Sequence, residues 1–151
     1  MADEKISWRF YGYVTPGGGC DVQEWFDSLS EDERDEARDA IGYLQVQPRR
    51  LWNKPKFEAF DADISEVRFK ASIAKRAYRI YGAFWPDSQR YSYTFLLGKF
   101  KKTDNDKIGV REARKRFGRL KNGEASIHEF KFEAKSDKPL ATGQGDTAPV
   151  C

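Results

Sequence analysis

The sequence predicts an α+β fold. A helical hairpin packs on a twisted, mainly antiparallel sheet of about four strands, and a further helix follows towards the C-terminus. Two observations carry this prediction. Two helical stretches precede a run of three strand-like segments joined by short turns, and a strongly basic helical stretch follows them. Because connections this short join antiparallel neighbours, the three segments are expected to form a meander.

The helical hairpin is predicted from its capping signals. Asp21 can cap a first short helix, and Ser30 is followed three residues later by Glu33, the spacing of a capping box that starts a second helix at Glu31. Small and aliphatic residues recur at helical spacing along the second helix, and Pro48 ends it. Ahead of the hairpin, alternating apolar and polar residues over Ile6 to Val14 predict a first strand.

The meander is predicted over Ile64–Lys70, Arg76–Tyr81 and Tyr91–Phe100. The basic helix is predicted over Lys107–Leu120, and a further strand is predicted over Ile127–Glu133. The candidate buried contacts of the basic helix are Ile108, Val110 or Ala113, and Phe117. We therefore expect a single domain over residues 1–133, and a disordered tail over residues 134–151, which contain few large apolar side chains.

The charges are unevenly distributed, although the net charge of the 151 residues is only +3. Nine acidic residues and two arginines lie between Asp21 and Ala40, whereas ten Lys or Arg and three acidic residues lie between Lys99 and Lys121. Such asymmetry suggests an anionic partner for the basic part. No apolar run is long enough to cross a membrane, and the charged N-terminus does not resemble a signal peptide. A cytoplasmic protein with reduced thiols is expected.

Strand periodicity places several cations on one face of the sheet. Arg68 and Lys70 share a face in one strand and Arg79 joins them from the next, opposite Val67, Phe69 and Ile80. If the apolar face meets the helices, the cations face outwards, where guanidinium groups can grip phosphates and tyrosines can stack on bases. The same spacing also fits a solvated sheet face with cross-strand pairs such as Glu66 with Arg79. Both interpretations remain open at this stage.

The chain has few of the residues that metal sites, phosphate-binding loops or histidine-based catalysis require. His128 is the only histidine, and neither of the two cysteines has a second ligand at metal-binding spacing. The glycines 17–19 lack the lysine and hydroxyl of a phosphate-binding loop. We therefore expect no metal, no cofactor and no histidine-based catalysis.

Four segments together resemble the RelE/ParE superfamily of toxins, and most closely its phage-derived, HigB-like branch. They are Glu66–Lys70, Tyr78–Tyr81, Leu96–Thr103 and the basic helix that contains Ala113. The preceding hairpin and the Lys56-Phe57-Glu58 segment follow the same order of elements, and the resemblance spans about Asp21 to Leu120. It implies a RelE-like fold and the toxin of a type II toxin–antitoxin system. The implied partners are a cognate antitoxin of the helix-turn-helix kind and mRNA on the ribosome.

Within this superfamily, RelE-like members are mRNA interferases that inhibit translation, whereas ParE-like members inhibit DNA gyrase. The resemblance implies an endoribonuclease whose catalytic residues are Arg68, Lys70, Arg79, Lys101 and Lys102. RNA binding is assigned to Lys54, Lys56, Tyr81, Tyr93, Lys99 and Arg111. The catalytic tyrosine and the central histidines of some relatives have no counterpart here. A gyrase inhibitor or a catalytically inactive binding module of phage origin therefore remains the alternative.

Overall fold

The computed structural model describes residues 5–71, 73, 75–100 and 106–132. The helices are α1 (Asp21–Asp27), α2 (Glu31–Gln45) and α3 (Lys107–Lys121), with a short 3₁₀ turn at Arg49–Leu51. The strands are β1 (Arg9–Val14), β2 (Phe57–Ala59), β3 (Ser65–Lys70), β4 (Ala77–Ala83), β5 (Ser92–Phe100) and β6 (Ser126–Glu129). The α+β class is therefore confirmed. The predicted tail over residues 134–151 lies outside the described residues.

The sheet has six strands in the order β2-β3-β4-β5-β1-β6, so the prediction of about four strands was too low. The meander β3-β4-β5 forms its centre, and Phe57–Ala59 adds an edge strand that sequence periodicity did not reveal. β1 pairs with β5 in parallel, while the other four pairings are antiparallel. The mainly antiparallel character is thus confirmed. The parallel pair arises because the hairpin and the meander separate β1 from β5 along the chain.

The helical hairpin covers one face of the sheet. The capping box at the start of α2 is present: the Ser30 hydroxyl accepts from the Glu33 amide at 3.2 Å, and the Ser30 amide donates to the Glu33 carboxylate at 2.7 Å. The Tyr78 hydroxyl of β4 donates to the same carboxylate. On α1, Trp25 packs against Gly98 of β5. At the start of α1, Cys20 and not Asp21 occupies the N-cap position.

The opposite face of the sheet is covered by α3. Ala113, Phe117 and Leu120 are its buried apolar residues, and the Phe117 ring meets Trp85 edge-on at 5.7 Å. Ile108 is 73% exposed, so its predicted core contact was wrong. Two residues of β4 show that the helices lie on opposite sides, because the Tyr78 hydroxyl reaches α2 while the Tyr81 hydroxyl reaches Asp106 at the start of α3. Residues three apart in a strand point to opposite faces.

Aromatic rings fill the core on the hairpin side. Trp8 and Trp52 lie 4.5 Å apart, and Phe10 stacks on Phe95 at 5.5 Å. Tyr93 lies among these rings with no solvent exposure, and its hydroxyl is 2.8 Å from that of Ser65. The expectation that the Tyr93 ring lies on the open face of the sheet is therefore wrong, because the ring is fully buried.

Two further expectations concern the environment of the chain. Within the described residues, no helix has the length and apolar character that crossing a membrane requires. Cys20 is buried beside the turn that precedes α1. The other cysteine, Cys151, lies outside the described residues, so the expectation of reduced thiols stays a prediction.

Candidate functional site

A continuous chain of charged and polar side chains crosses the α3 side of the sheet. Arg68 of β3 lies at one end and pairs with two carboxylates, those of Glu58 and Glu66. Lys99 of β5 lies at the other end, with its Nζ 3.1 Å from Oδ2 of Asp106. The members, in spatial order, are Glu58, Arg68, Glu66, Arg79, Tyr81, Asp106 and Lys99. We call these seven residues the sheet network.

The register of the meander builds this network. Arg68 lies directly opposite Arg79, which in turn lies opposite Lys99. In the same way, Glu66 lies opposite Tyr81. Directly opposite residues share a face, so three cations come together across three strands. Glu66 offsets their repulsion because its carboxylate contacts both arginines.

Arg79 occupies the centre of the network and is only 1% exposed. Its Nη1 lies 3.4 Å from Oε1 of Glu66, and Glu66 is fully buried. The same Nη1 donates to the Tyr81 hydroxyl at 2.9 Å. The alternation of β4 correctly predicted which face carries Arg79. The expectation that this face is open to solvent was wrong at Arg79, because its side chain is almost completely buried. A buried charge requires a partner, and Glu66 supplies one.

Tyr81 and Asp106 connect the sheet to α3. The Tyr81 hydroxyl donates to Oδ2 of Asp106 at 2.8 Å, while Oδ1 of Asp106 accepts from the Gly109 amide at 3.1 Å and thereby caps the helix. Burial alone would raise the pKa of Asp106, but the bonds from Gly109 and Tyr81 and the nearby Lys99 lower it overall. Burial raises the pKa of Tyr81. Tyr81 has no exposed surface, so the expectation that its ring lies on an open face was wrong.

The remaining predicted cations occupy different surroundings. Lys54, Lys70 and Arg111 are exposed, and Lys54 reaches Glu58 only at 3.8 Å. Lys56 lies over the ring of Tyr43 at 5.1 Å, on the α2 side of the sheet and away from α3. The side chains of Arg68 and Lys99 are 24% and 35% exposed. Lys101 and Lys102 lie outside the described residues.

Sequence reasoning missed three residues that shape this region. Glu58 and Asp106 supply carboxylates to the network, and Phe60 places its ring 5.9 Å from that of Tyr81. A signal was available for Asp106, which directly precedes the basic helix and is of a preferred capping type. No comparable signal marks Glu58 or Phe60, because only the fold of the β2–β3 segment brings them to the site.

The single histidine lies far from this network along the sheet. His128 is on the edge strand β6, opposite Gly12 of β1. Its Nδ1 is 2.7 Å from the Glu129 carbonyl oxygen, and burial lowers its pKa, which favours the neutral ring. Among the described residues, no group of three or more His, Cys, Asp or Glu side chains is arranged to hold a metal ion.

One of three comparisons with known proteins found a match. The family of phage-derived Gp49-like proteins (DUF891) matches residues 24–121, which include α2, the whole meander and α3. No curated protein and no solved structure matches the chain. Since the match covers well over half of the sequence, the chain belongs to the Gp49-like phage-derived family, which is a RelE/ParE-like toxin family.

Proposed function

We propose that this protein is the toxin of a type II toxin–antitoxin pair and cleaves mRNA on the ribosome without a metal ion. Family membership supports the toxin class. One structural observation carries the choice of RNA cleavage: β3 brings the partly exposed guanidinium of Arg68 and the exposed Lys70 to one face of the sheet. Such a pair can hold a scissile phosphate, because guanidinium groups bind phosphate oxygens in a bidentate way.

The proposed reaction uses the RNA itself as the nucleophile. The 2′-oxygen attacks the adjacent phosphorus as its proton leaves, the bond to the 5′-oxygen breaks, and that oxygen takes up a proton. The products are a 2′,3′-cyclic phosphate and a free 5′-hydroxyl. Arg68 stabilises the extra negative charge on the phosphorane. Arginine keeps its proton near neutral pH, so a lysine is the better proton-transfer group, and the candidates are Lys70, Lys101 and Lys102.

In this proposal Arg79 has a positioning role. It is buried behind Glu66, and the Glu66 carboxylate contacts the Nε of Arg68. Arg79 thus fixes Glu66, and Glu66 orients the guanidinium of Arg68 towards the substrate. The burial of Arg79 favours this role over direct phosphate contact, since solvent hardly reaches its side chain.

A second function is favoured by one specific observation. Arg68, Arg79 and Lys99 all have carboxylate partners, which lowers the positive potential that a phosphate would meet. This arrangement suits a catalytically inactive binding module, or a ParE-like protein that inhibits gyrase through a protein surface. The two functions make different predictions for mRNA.

The test combines the purified protein with translating ribosomes and, separately, with gyrase and relaxed plasmid. We expect mRNA cleavage and unaffected supercoiling. Arg68→Ala should slow cleavage by roughly a hundredfold, and Arg68→Lys should recover part of the loss. Arg38→Ala is a matched control, because Arg38 is also acid-paired and its side chain is 21% exposed, but it lies on α2. His128→Ala should also cleave at the native rate. Intact mRNA with blocked supercoiling would instead identify a gyrase inhibitor. No effect in either assay would identify an inactive module.

The proposed protein partner is a cognate antitoxin of the helix-turn-helix kind. It would neutralise the basic outer face of α3 or displace this helix from the sheet network, since complementary charge steers such encounters. Crosslinks between antitoxin and toxin should map to Lys107–Lys121. Crosslinks confined to residues 21–39 would contradict the assignment.

A further inference from the structure

Phe60 presents an aromatic ring to solvent beside α3. It lies in the connection between β2 and β3, is 37% exposed, and rests against the Tyr81 ring at 5.9 Å and a tilt of 45°. The ring thus has one side supported by protein, and part of its surface is open. Exposed aromatic rings of this kind are the surfaces on which unpaired bases stack.

The connection that carries Phe60 is held in place by several bonds. Oδ1 of Asp61 accepts from the amides of Asp63 and Ile64 at 2.8 and 2.9 Å, and the Phe60 amide donates to the Ile64 carbonyl at 2.9 Å. The other Asp61 oxygen pairs with Arg114 of α3. The ring therefore has a defined position relative to α3, so that little ordering is required when a ligand binds.

Cations follow one exposed stripe of α3. Lys107, Arg111 and Arg114 are exposed and lie at positions i, i+4 and i+7, which share one side of a helix. Arg114 is already paired with Asp61, whereas neither Lys107 nor Arg111 has a carboxylate partner within the described part of the chain. These two side chains are available to an anionic ligand.

The ring and the stripe meet where Arg114 pairs with Asp61. Asp61 directly follows Phe60 in the chain, and Arg114 lies about one helical turn beyond Arg111 on the stripe. The segment that carries the ring therefore lies beside the exposed stripe, while the Gly109 side of α3 packs on the ring of Tyr81. Of the acids described near this surface, Asp61 is paired with Arg114 and Asp106 with Lys99, while Asp63 is exposed.

We propose that Phe60 stacks on one unpaired base of a single-stranded RNA, while Lys107 and Arg111 bind the adjoining phosphates. This inference rests on the proposed function and gives it a second contact with RNA, separate from Arg68 and Lys70. Stacking requires only the face of a base, so the contact tolerates different sequences. Duplex RNA cannot use it, because its bases are already stacked.

The test measures binding of the full chain to a fluorescein-labelled riboadenosine decamer and to its abasic ribose-phosphate counterpart, by fluorescence anisotropy. We expect the native protein to prefer the decamer with bases by roughly tenfold, a size typical of one stacked base. Phe60→Leu should abolish this preference, and Phe60→Tyr should retain it. Tyr43→Leu is the matched control, because Tyr43 is another exposed aromatic residue but lies on α2. Lys107→Gln with Arg111→Gln should lower the slope of log affinity against log salt by about 1.4, the value for two lost contacts with a single strand.

Several outcomes would overturn the inference. For the ring, they are equal binding of the two decamers by the native protein, an unchanged preference for the decamer with bases in Phe60→Leu, and a loss of that preference in Tyr43→Leu. For the cations, it is a salt slope that the two Gln substitutions leave unchanged. Circular dichroism and the native-like Phe60→Tyr variant separate loss of the ring from loss of the fold. The mRNA cleavage assay judges the proposed function independently. Cleavage without base preference would reject only the Phe60 contact, and base preference without cleavage would reject only the nuclease.

Discussion

The guanidinium of Arg79 and the carboxylate of Glu66 form an ion pair that is closed off from solvent. Nη1 of Arg79 lies 3.4 Å from Oε1 of Glu66, and the two residues are 1% and 0% exposed, respectively. Both charges lie on the sheet face that α3 covers. This pair stabilises the fold only while both members are present, because each would otherwise be a buried charge without compensation.

Arg79→Ala should therefore destabilise the protein. We expect the free energy of unfolding to fall by about 3–5 kcal/mol, the usual cost of removing one member of a buried pair. The double variant Arg79→Met with Glu66→Gln should recover much of that loss, since no net charge remains buried. Urea denaturation followed by circular dichroism measures both. Arg38→Ala, which removes a partly exposed pair, should change stability by less than about 1 kcal/mol. A native-like stability of Arg79→Ala would show that the pair is not buried in solution.

Asp106→Asn should change how stability depends on pH. The pKa of Asp106 is lowered in the folded state, so its charge stabilises the fold above the unfolded value of about 3.9. This contribution is lost as the pH falls through the lowered folded value. The native protein should therefore exceed Asp106→Asn in stability near pH 6, and the difference should shrink below about pH 4. Asparagine keeps the capping bond to Gly109, but its amide nitrogen cannot accept from the Tyr81 hydroxyl, so only the pH-dependent part of the difference reports the charge. A difference independent of pH would contradict the prediction.

Tyr78→Phe should alter stability at alkaline pH. Burial, followed by the hydrogen bond to Glu33, raises the pKa of Tyr78 to about 12. A raised pKa contributes stability that is complete below the unfolded value of about 10 and is lost as the pH rises towards 12. Between these values the native protein should lose stability more steeply than Tyr78→Phe. Unfolding by urea at pH 9, 10 and 11 tests this, and parallel curves for the two proteins would refute it.

Two glycines should respond to alanine in opposite directions. A Cβ at Gly98 of β5 would lie 2.3 Å from the Trp25 ring, so Gly98→Ala must displace that ring and should cost about 1–3 kcal/mol. A Cβ at Gly42 of α2 would meet nothing within 4 Å, so Gly42→Ala should stabilise the helix by about 0.5–1 kcal/mol. Thermal unfolding of both variants supplies the comparison. Equal shifts in the same direction would mean that Trp25 does not pack on β5 as described.

Local signals in the sequence predicted most elements of the fold. The Ser30 and Glu33 spacing located the start of α2, and the alternation of β3 and β4 correctly grouped Glu66, Arg68 and Arg79 on one face. These features depend on neighbouring residues alone, through capping bonds and the two-residue repeat of a strand. The many lysines and arginines of the segment likewise predicted that α3 is basic.

What covers that face was decided by tertiary structure. Alternation predicts that Arg79 and Ile80 point to opposite faces of the sheet, but it does not reveal that α3 returns over the Arg79 face or that the arginine is buried there. The carboxylates of Glu58 and Asp106 reach the cations from elements far apart in sequence, and β1 joins β5 across the whole hairpin and meander. Such long-range pairings depend on how complete elements pack to bury apolar surface, a choice that no local pattern encodes. The sequence thus determined which residues are cations on one face, and packing determined which of them a phosphate can reach.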